Sequence, residues 1–202
     1  MKLPCLFQWR ILRQAVKSLL SRPFTTRFPA EPYEPIERFR GRPRFNAEEC
    51  IGCGACAQVC PSKCIYVEDD PEASPPVRRL NHRVDECIWC GQCERYCPTG
   101  GIRMTNEYDC TVFSREELDH RIEKELVICE VCSAVIAPLD QLRWLVKKLG
   151  PLAYGNPTLM LVGGRELKVV EPGVRPSSED VLRQQRVSIA CPRCRRKTSL
   201  VV

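Results

Sequence analysis

The stretch CIGCGACAQVCP, which runs from Cys50 to Pro61, decides the fold because its cysteine spacing returns as CIWCGQCERYCP from Cys87 to Pro98. A run of the form C-x2-C-x2-C-x3-C-P binds a 4Fe-4S cube. Its first three cysteines lie on one tight loop and reach three corners of a cube, whereas the cysteine before the proline ligates the other cluster. The internal repeat therefore predicts two cubes, held side by side by crossed ligands.

The crossed arrangement divides eight cysteines into two ligand sets, one for each cube. The first cube is assigned Cys50, Cys53, Cys56 and Cys97. The second cube is assigned Cys87, Cys90, Cys93 and Cys60. Two zinc sites are the alternative, but zinc is usually bound by two separated CxxC pairs, and three cysteines in one run followed by CP fit that pattern poorly. We therefore expect two 4Fe-4S clusters with low reduction potentials and one-electron chemistry.

Four further cysteines form two CxxC pairs after the repeat, Cys129 with Cys132 and Cys191 with Cys194. Two such pairs separated by a long insert predict a tetrahedral four-thiolate site. We expect a structural Zn2+ there, which joins the two ends of this part of the chain and contributes folding free energy. A rubredoxin-like single iron uses the same ligands, and free thiols or disulfides are the remaining alternative.

The other cysteines and both histidines are not predicted to bind a metal. Cys5, Cys64 and Cys110 are interpreted as small hydrophobic side chains rather than ligands. His82 and His120 are isolated in the sequence and are predicted to lie at the surface. No motif for nucleotide binding or nucleophilic attack accompanies the cysteines, so the chain is not expected to be an enzyme with a catalytic site of its own.

The 15 cysteines in 202 residues are not expected to form a closed set of disulfides, because their number is odd. The apolar N-terminal stretch is interrupted by Arg10, Arg13 and Lys17, unlike a secretion signal. A cytoplasmic chain keeps its thiols reduced and free to bind metals. Residues 1–45 carry ten Lys or Arg against three Glu, which favours an anionic membrane surface or a docking partner. Nucleic acid is not expected as a partner, because no nucleic-acid-binding motif accompanies this charge.

Residues 4–22 are predicted to form an amphipathic helix that ends before a proline. Trp9, Leu12 and Val16 recur at helical spacing, opposite a basic face. Such a helix lies in a membrane interface or packs against another protein, and the pattern allows both. Residues 23–46 contain five prolines and are predicted to form an extended docking arm.

The predicted fold class is α+β, with a bacterial two-cluster ferredoxin-like domain at its centre. Residues 1–46 form the helix and arm, and residues 47–107 form the ferredoxin domain, with strand-like runs at 64–67 and 101–104. Residues 108–202 are expected to form a C-terminal α/β metal-knuckle unit of zinc-ribbon or rubredoxin-like type.

Secondary structure in the C-terminal unit is predicted from caps and periodicity. A capping box at Ser114 predicts a helix as far as Val127. A second helix is predicted at 138–149 and a strand at 158–162, and Ser178 is predicted to cap a further short helix.

Residues 20–107 resemble the two-cluster ferredoxin subunit shared by respiratory complex I and the related membrane-bound hydrogenases. The resemblance is carried by FRGRPRF at 39–45, by the two cysteine runs and by TGGI after the second run. The C-terminal CxxC pairs are similar to those of the ferredoxin-like subunit of formate hydrogenlyase and hydrogenase-4 type complexes. The complex I subunit usually has no further pairs.

The resemblance implies an electron-transfer subunit that relays single electrons through two 4Fe-4S clusters within a membrane-associated nickel–iron hydrogenase complex of the formate hydrogenlyase type. It implies hydrogenase catalytic and small subunits, other iron–sulfur subunits and membrane-arm subunits as partners, with the chain peripheral at the cytoplasmic face of the inner membrane. The alternative is the equivalent subunit of a complex I-like NADH or ferredoxin:quinone oxidoreductase. A free soluble ferredoxin is less favoured, because a free carrier needs no helix or arm for a fixed dock.

Overall fold

A computed structural model describes residues 8–167 and 188–200 of the chain. These residues belong to two compact units, the first reaching to Arg38 and the second beginning at Phe39. The first unit contains helix α1 (Trp9–Leu20), followed by a segment without helix or strand. The predicted amphipathic helix is therefore present. Residues 21–42 contain no helix or strand, but residues 43–45 at the end of the predicted extended arm form a strand.

Helix α1 buries none of its residues within its own unit. Its apolar side chains are exposed, with Trp9 at 77% and Leu19 at 85% of full exposure. Lys17 lies in the last turn, where a positive charge favourably meets the negative end of the helix dipole. No helix in the described ranges is long and apolar enough to cross a membrane.

The second unit opens with the cysteine repeat, and each half of the repeat has the same order of strand, short helix and strand. The first half consists of β1 (Pro43–Phe45), α2 (Ala55–Gln58) and β2 (Ile65–Asp70). The second half consists of β3 (Val77–His82), α3 (Gln92–Arg95) and β4 (Ile102–Met104). The strands predicted after the two cysteine runs, β2 and β4, are confirmed.

Strands of one half of the repeat pair with strands of the other half. Strand β1 is antiparallel to β4, with Phe45 opposite Ile102. Strand β2 is antiparallel to β3, with Ile65 opposite His82. Each half therefore supplies the hydrogen-bonding partners that the backbone of the other half needs, and the two halves form one structure.

The larger sheet continues beyond the repeat in the order β2-β3-β5-β6, with β5 at His120–Ile128 and β6 at Val135–Pro138. The predicted helix from Ser114 to Val127 is wrong. The capping box is present, but it caps only a 3-10 helix at Arg115–Leu118, and the chain then pairs with β3 as β5.

The strand β5 has a sequence that suits either a helix or a strand. Ile122 and Leu126 are four residues apart, and that spacing places them on one face in both structures. Both side chains are buried in the sheet structure. The segment forms a strand because β5 then pairs with the edge of β3, whose backbone N–H and C=O groups need hydrogen-bond partners. The sheet consequently crosses position 107/108, where the sequence suggests a division between two units.

Helices cover the C-terminal part of the second unit. They are α4 (Leu139–Leu149), α5 (Pro157–Glu166) and α6 (Pro192–Leu200). The helix predicted at 138–149 is confirmed as α4, and the strand predicted at 158–162 is wrong because this segment lies in α5. The side chain of Asn156 caps α5 by accepting a hydrogen bond from the Thr158 N–H at 2.9 Å. The helix predicted after Ser178 lies outside the described residues.

The described residues of the second unit form two larger apolar cores and a small cluster around the C-terminal cysteines. The first surrounds the cysteine repeat and includes Phe45, Leu80, Ile102 and Ile122 with several of the cysteines. The second is formed by α4, α5 and the segment before α6, and includes Leu142, Leu159, Leu161, Val162 and Ile189. The cysteine runs therefore lie in apolar surroundings, in which a bound cluster is shielded from water.

Gly101 is expected to tolerate no side chain. A Cβ at this position would lie 2.5 Å from Cys50 Cα and 2.7 Å from Cys50 N, so the backbone of the first cysteine run would have to move. Gly101→Ala is expected to lower the free energy of unfolding by about 2 kcal/mol or more. It should also lower the iron content, and denaturant unfolding with iron analysis measures both effects.

Gly163→Ala is the matched control, because a Cβ built at this position in α5 would meet no described residue within 4 Å outside the local helix backbone. This change is expected to stabilise the chain by about 0.5–1 kcal/mol through the higher helix propensity of alanine. Equal stability of the two variants would contradict the close approach of Gly101 to Cys50.

Candidate metal centres

Glycines with positive φ shape the loop of the first cysteine run. Gly52 has φ +69° and Gly54 has φ +77°, a backbone region that side chains disfavour. Gly54 is the residue before α2, and Cys56 lies buried within that helix. The chain turns twice in a few residues, so three cysteines of one run face a common volume.

The four cysteines predicted to hold the first cube line one cavity. Its wall contains Cys50, Cys53, Cys56 and Cys97 together with the apolar residues Phe45, Leu80 and Ile102. Cys97 comes from the second cysteine run, so the structure brings it to the three cysteines of the first run. These four residues are the first ligand set predicted from the sequence, and their role as ligands stays a prediction.

The environment of this cavity suits a cluster bound by thiolates. The Gly101 N–H donates a hydrogen bond to Cys97 Sγ at 3.1 Å, and such donors stabilise sulfur that carries negative charge. Burial raises the pKa of the Cys56 thiol to about 12, and the charges of Cys50 and Cys53 add to this effect. Burial and mutual repulsion therefore disfavour free thiolates in this cavity, and a bound cluster would supply the positive charge that stabilises them. The donor set of four cysteines fits an iron–sulfur cluster.

The second set is brought together in the same way. Burial raises the pKa of the Cys93 thiol to about 11, and the neighbouring charges of Cys90 and Cys60 also raise it. Cys60 belongs to the first run, yet its charge also acts on Cys87. The Trp89 N–H donates to Cys87 Sγ at 3.4 Å. These four cysteines are therefore neighbours, as the crossed assignment expects.

Two polar residues beside the second set were not recognised as site residues from the sequence. His82 was predicted at the surface, but its side chain is only 1% exposed, and Cys64 is equally buried. Sγ of Cys64, Sγ of Cys87 and a ring nitrogen of His82 all lie within 4.8 Å of one another. The alternation of β3, in which Leu80 and His82 share one face, is the signal that places His82 inside.

His120 is also not a free surface residue. Its ring nitrogen Nδ1 accepts a hydrogen bond from the Phe45 N–H at 3.1 Å, and its ring stacks on Phe45 with the centroids 5.6 Å apart. The imidazole therefore serves to hold β1 in place beside the first cavity.

The C-terminal cysteines come from two elements that the fold brings together. Cys129 and Cys132 lie at the turn between β5 and β6, where Ser133 N–H donates to the Cys129 carbonyl at 2.8 Å. Cys191 and Cys194 lie at the start of α6, and the Cys191 N–H donates to Cys129 Sγ at 3.3 Å. A hairpin and a helix start therefore present two thiols each to one point.

The four sulfurs lie at the spacing of a single-metal site. All four Sγ atoms of Cys129, Cys132, Cys191 and Cys194 lie within 4.8 Å of one another. Sγ of Cys132 and Sγ of Cys191 are 3.7 Å apart. A tetrahedron with metal–sulfur bonds of about 2.3 Å has edges of about 3.8 Å, so the geometry fits one tetrahedral ion.

Backbone donors favour the charged form of one of these thiols. Burial of Cys129 opposes its ionisation, but the N–H groups of Cys191, Cys132 and Val131 outweigh burial and lower the pKa of Cys129 to about 6. The thiolate is the form that binds a metal. The thiolate form of Cys129 is therefore favoured at neutral pH, and it can bind a cation directly.

Comparison with known proteins places the repeat in a defined class. The 4Fe-4S dicluster domain matches residues 49–101. Formate hydrogenlyase subunit 6 of Escherichia coli (strain K12) is 36% identical over 125 residues, which are 62% of this chain and 68% of that protein. The chain is thus a dicluster iron–sulfur protein, and it belongs to the family that includes formate hydrogenlyase subunit 6 and subunit I of the NAD(P)H-quinone oxidoreductases.

Two further similar proteins match part or most of this chain. NAD(P)H-quinone oxidoreductase subunit I of Gloeobacter violaceus is 39% identical over 102 residues, which are 49% of each protein, so the match spans about half the length of that relative. A solved structure of the membrane-bound sulfane sulfur reductase, an archaeal respiratory membrane complex, contains a chain with 25% sequence identity and a TM-score of 0.39. That match covers 75% of this chain and 73% of the other.

Cys60→Ala is expected to remove the second cube, although Cys60 belongs to the first cysteine run. The iron content of the loaded chain should then fall to about half, because one four-iron cluster of two is lost. A second change separates the possible assignments. Adding Cys90→Ala should remove no further iron, whereas adding Cys53→Ala should remove the remaining cube.

Iron analysis and the electron paramagnetic resonance (EPR) signal of the reduced chain measure these losses. Cys110→Ala is the control, because Cys110 belongs to neither set and should leave both clusters in place. If Cys60→Ala with Cys53→Ala kept half of the iron, the crossed assignment would be wrong.

Cys191→Ser is expected to destabilise the C-terminal metal site and to leave both cubes intact. Loss of one ligand weakens metal binding, and metal binding contributes directly to folding free energy. We expect a loss of about 3 kcal/mol or more in unfolding free energy and the loss of one metal equivalent. Calorimetry and metal analysis test this, and simultaneous disappearance of both cube signals would contradict the separation of the sites.

Proposed function

We propose that this chain relays single electrons through two 4Fe-4S clusters within a membrane-associated nickel–iron hydrogenase complex of the formate hydrogenlyase type. The observation that carries the proposal is the cavity in which Cys97 joins Cys50, Cys53 and Cys56. A thiolate set of this kind on a dicluster repeat serves electron transfer. The chain supplies no catalytic site in this proposal, and substrates are converted on other subunits.

The residues of the chain bind, insulate and polarise the clusters. When bound, each cluster takes up and releases one electron. Phe45, Leu80 and Ile102 exclude water from the first ligand set. The N–H groups of Gly101 and Trp89 point at ligand sulfurs of the two sets and stabilise their negative charge.

The two cysteine loops differ in how far other parts of the unit cover them. In the first loop, Ile51 is 9% exposed, and a Cβ on Gly52 would lie 3.1 Å from the Lys124 side chain and 3.2 Å from Pro138. At the matching position of the second loop, Ile88 is 62% exposed. We infer that the second loop faces a partner subunit, because an exposed apolar residue beside a cluster suits a protein interface.

The first unit provides the attachment in this proposal. Helix α1 has an exposed apolar face and basic residues on the opposite side, a pattern typical of helices that lie in a membrane interface. We propose that it holds the chain at the cytoplasmic face of the inner membrane, with residues 1–46 as the docking segment. Residues 47–107 then carry the relay, and residues 108–202 carry the additional metal site.

The four C-terminal cysteines are proposed to bind one Zn2+ with a structural role. The pairwise spacing of their sulfurs within 4.8 Å supports a single ion. The site ties the β5–β6 hairpin to the start of α6, and a redox-inactive ion is sufficient for that role. A rubredoxin-type iron is the alternative at this site, and metal analysis with visible absorption distinguishes the two.

A complex I-like quinone oxidoreductase is the second candidate for the parent complex. The identity of 39% to a quinone oxidoreductase subunit I over 102 residues favours it. The match to formate hydrogenlyase subunit 6 extends over 125 residues and covers a larger share of both proteins, which favours the hydrogenase complex. Other hydrogenase and iron–sulfur subunits are the partners in the first case, and quinone-reducing subunits in the second.

Purification of the tagged chain from its native membranes in mild detergent tests the proposal. Co-purifying nickel and hydrogen evolution from a reduced dye are the expected result, and formate as the donor then identifies the oxidising module. Strains carrying Cys53→Ala should lose electron transfer from the physiological donor, whereas strains carrying the control change Cys110→Ala should keep it. Quinone-linked turnover without nickel would assign the chain to the second candidate.

A further inference from the structure

The two halves of the repeat carry different residues at two equivalent positions beside the ligands. Five residues before the first cysteine of each run, the first half has Phe45 and the second half has His82. Four residues after the last cysteine of each run, the first run is followed by Cys64 and the second by Gly101. Because the strands cross between halves, Phe45 and Gly101 lie beside the first set, and His82 and Cys64 lie beside the second.

The first set has no room for a side-chain hydrogen-bond donor at these positions. Phe45 is apolar, and Gly101 approaches the backbone of Cys50 so closely that a Cβ would clash. Of these two residues, Gly101 is the one that donates a hydrogen bond to a ligand sulfur, from its backbone N–H to Cys97 Sγ at 3.1 Å.

The second set has two buried polar side chains at the same positions. Cys64 Sγ lies 3.4 Å from Cys60 Sγ, and it lies within 4.8 Å of Cys87 Sγ and of a ring nitrogen of His82. Among the residues that the structure describes, neither ring nitrogen of His82 has a hydrogen-bond partner. A buried polar group without a partner is costly, and Cys87 Sγ of the second ligand set lies within 4.8 Å of a ring nitrogen of His82.

Cys64 belongs to neither of the two predicted ligand sets, so its thiol keeps its proton when Cys60 ligates a cube as a thiolate. Cys64 is then the donor of the pair, and the distance of 3.4 Å between its Sγ and Cys60 Sγ is suitable for an S–H···S hydrogen bond.

We propose that Cys64 and His82 donate hydrogen bonds to the sulfurs of the second ligand set, and that this holds the second cube at a higher reduction potential than the first. Hydrogen bonds to the sulfurs are one of the established determinants of cluster potential, because they stabilise the additional negative charge of the reduced state. The inference rests on the proposed function, since it requires both clusters. An electron delivered to the chain then settles on the second cube, beside the exposed loop that carries Ile88.

A redox titration of the full chain, loaded with iron and sulfide under anaerobic conditions and followed by EPR, tests the proposal. The wild-type chain should show two one-electron components, and the component that is absent from Cys60→Ala belongs to the second cube. In Cys64→Ala that component should move to a more negative potential. At a fixed potential its reduced-to-oxidised ratio should fall about tenfold, which is about 59 mV for one electron.

Matched variants separate hydrogen bonding from packing. Cys64→Ser retains a donor of similar size and should shift the component much less than Cys64→Ala. His82→Phe places in the second half the residue that the first half has, and it should lower the same component. In the double variant that carries Cys64→Ala and His82→Phe, the reduction potentials of the two components should become similar. Cys110→Ala is the control and should leave both components unchanged.

Four outcomes would overturn the proposal: no shift in Cys64→Ala, equal shifts in the alanine and serine variants, a shift of the first component instead, or loss of the second cube in Cys64→Ala. The last would make Cys64 a ligand. A wild-type chain that binds iron and sulfide but shows no 4Fe-4S signal would overturn the proposed function and this inference together. Two wild-type cubes with unchanged potentials in the variants would overturn the inference alone.

Discussion

In the proposed ligation the last cysteine of each run binds the cluster of the other run, and the strands of the two halves also pair with each other. Cys97 lines the cavity of Cys50, and β1 and β4, which precede and follow the two runs, pair beside it. Ligation and strand pairing therefore require the same arrangement, and neither half satisfies its thiols or its backbone groups alone. Gly101 approaches the backbone of Cys50 closely at this crossing. The larger sheet and the C-terminal hairpin are built outward from it.

Cysteine spacing predicted the chemistry because ligand reach depends on a few consecutive residues. Strand β2, strand β4 and helix α4 were also predicted from local patterns. The errors have a common cause. The segment of β5 suits a helix or a strand, and the free edge of β3, which lies far away in the sequence, selects the strand. The apolar run in α5 resembles a strand, but the side chain of Asn156, which lies before that run, caps the segment as a helix. His82 was misplaced because its burial depends on sheet pairing.

The arrangement of the thiols distinguishes the two kinds of candidate metal centre in this chain. The C-terminal thiols lie close enough for one small ion to contact all four. The thiols of the first set instead line a cavity with apolar walls, and a larger cluster is needed to bridge them. One residue type thus builds two kinds of site, and the backbone decides which. Three cysteines on one loop line a cavity. Two CxxC pairs, one on a hairpin and one at the start of a helix, instead bring four sulfurs around a single small ion.

The cover over the first cysteine loop has a consequence for the order in which the protein matures. Lys124 on β5 donates to the Ala47 carbonyl at 2.6 Å, and Pro138 of β6 packs beside Gly52. The hairpin that closes over this loop also carries two of the four C-terminal cysteines. Early binding of the C-terminal ion would therefore fix the β5–β6 hairpin over the first cysteine loop before that loop has received its cluster. With the proposed clusters and ion, iron and sulfide would have to enter the first loop before that closure, whereas the second loop, with Ile88 exposed, would still be accessible afterwards.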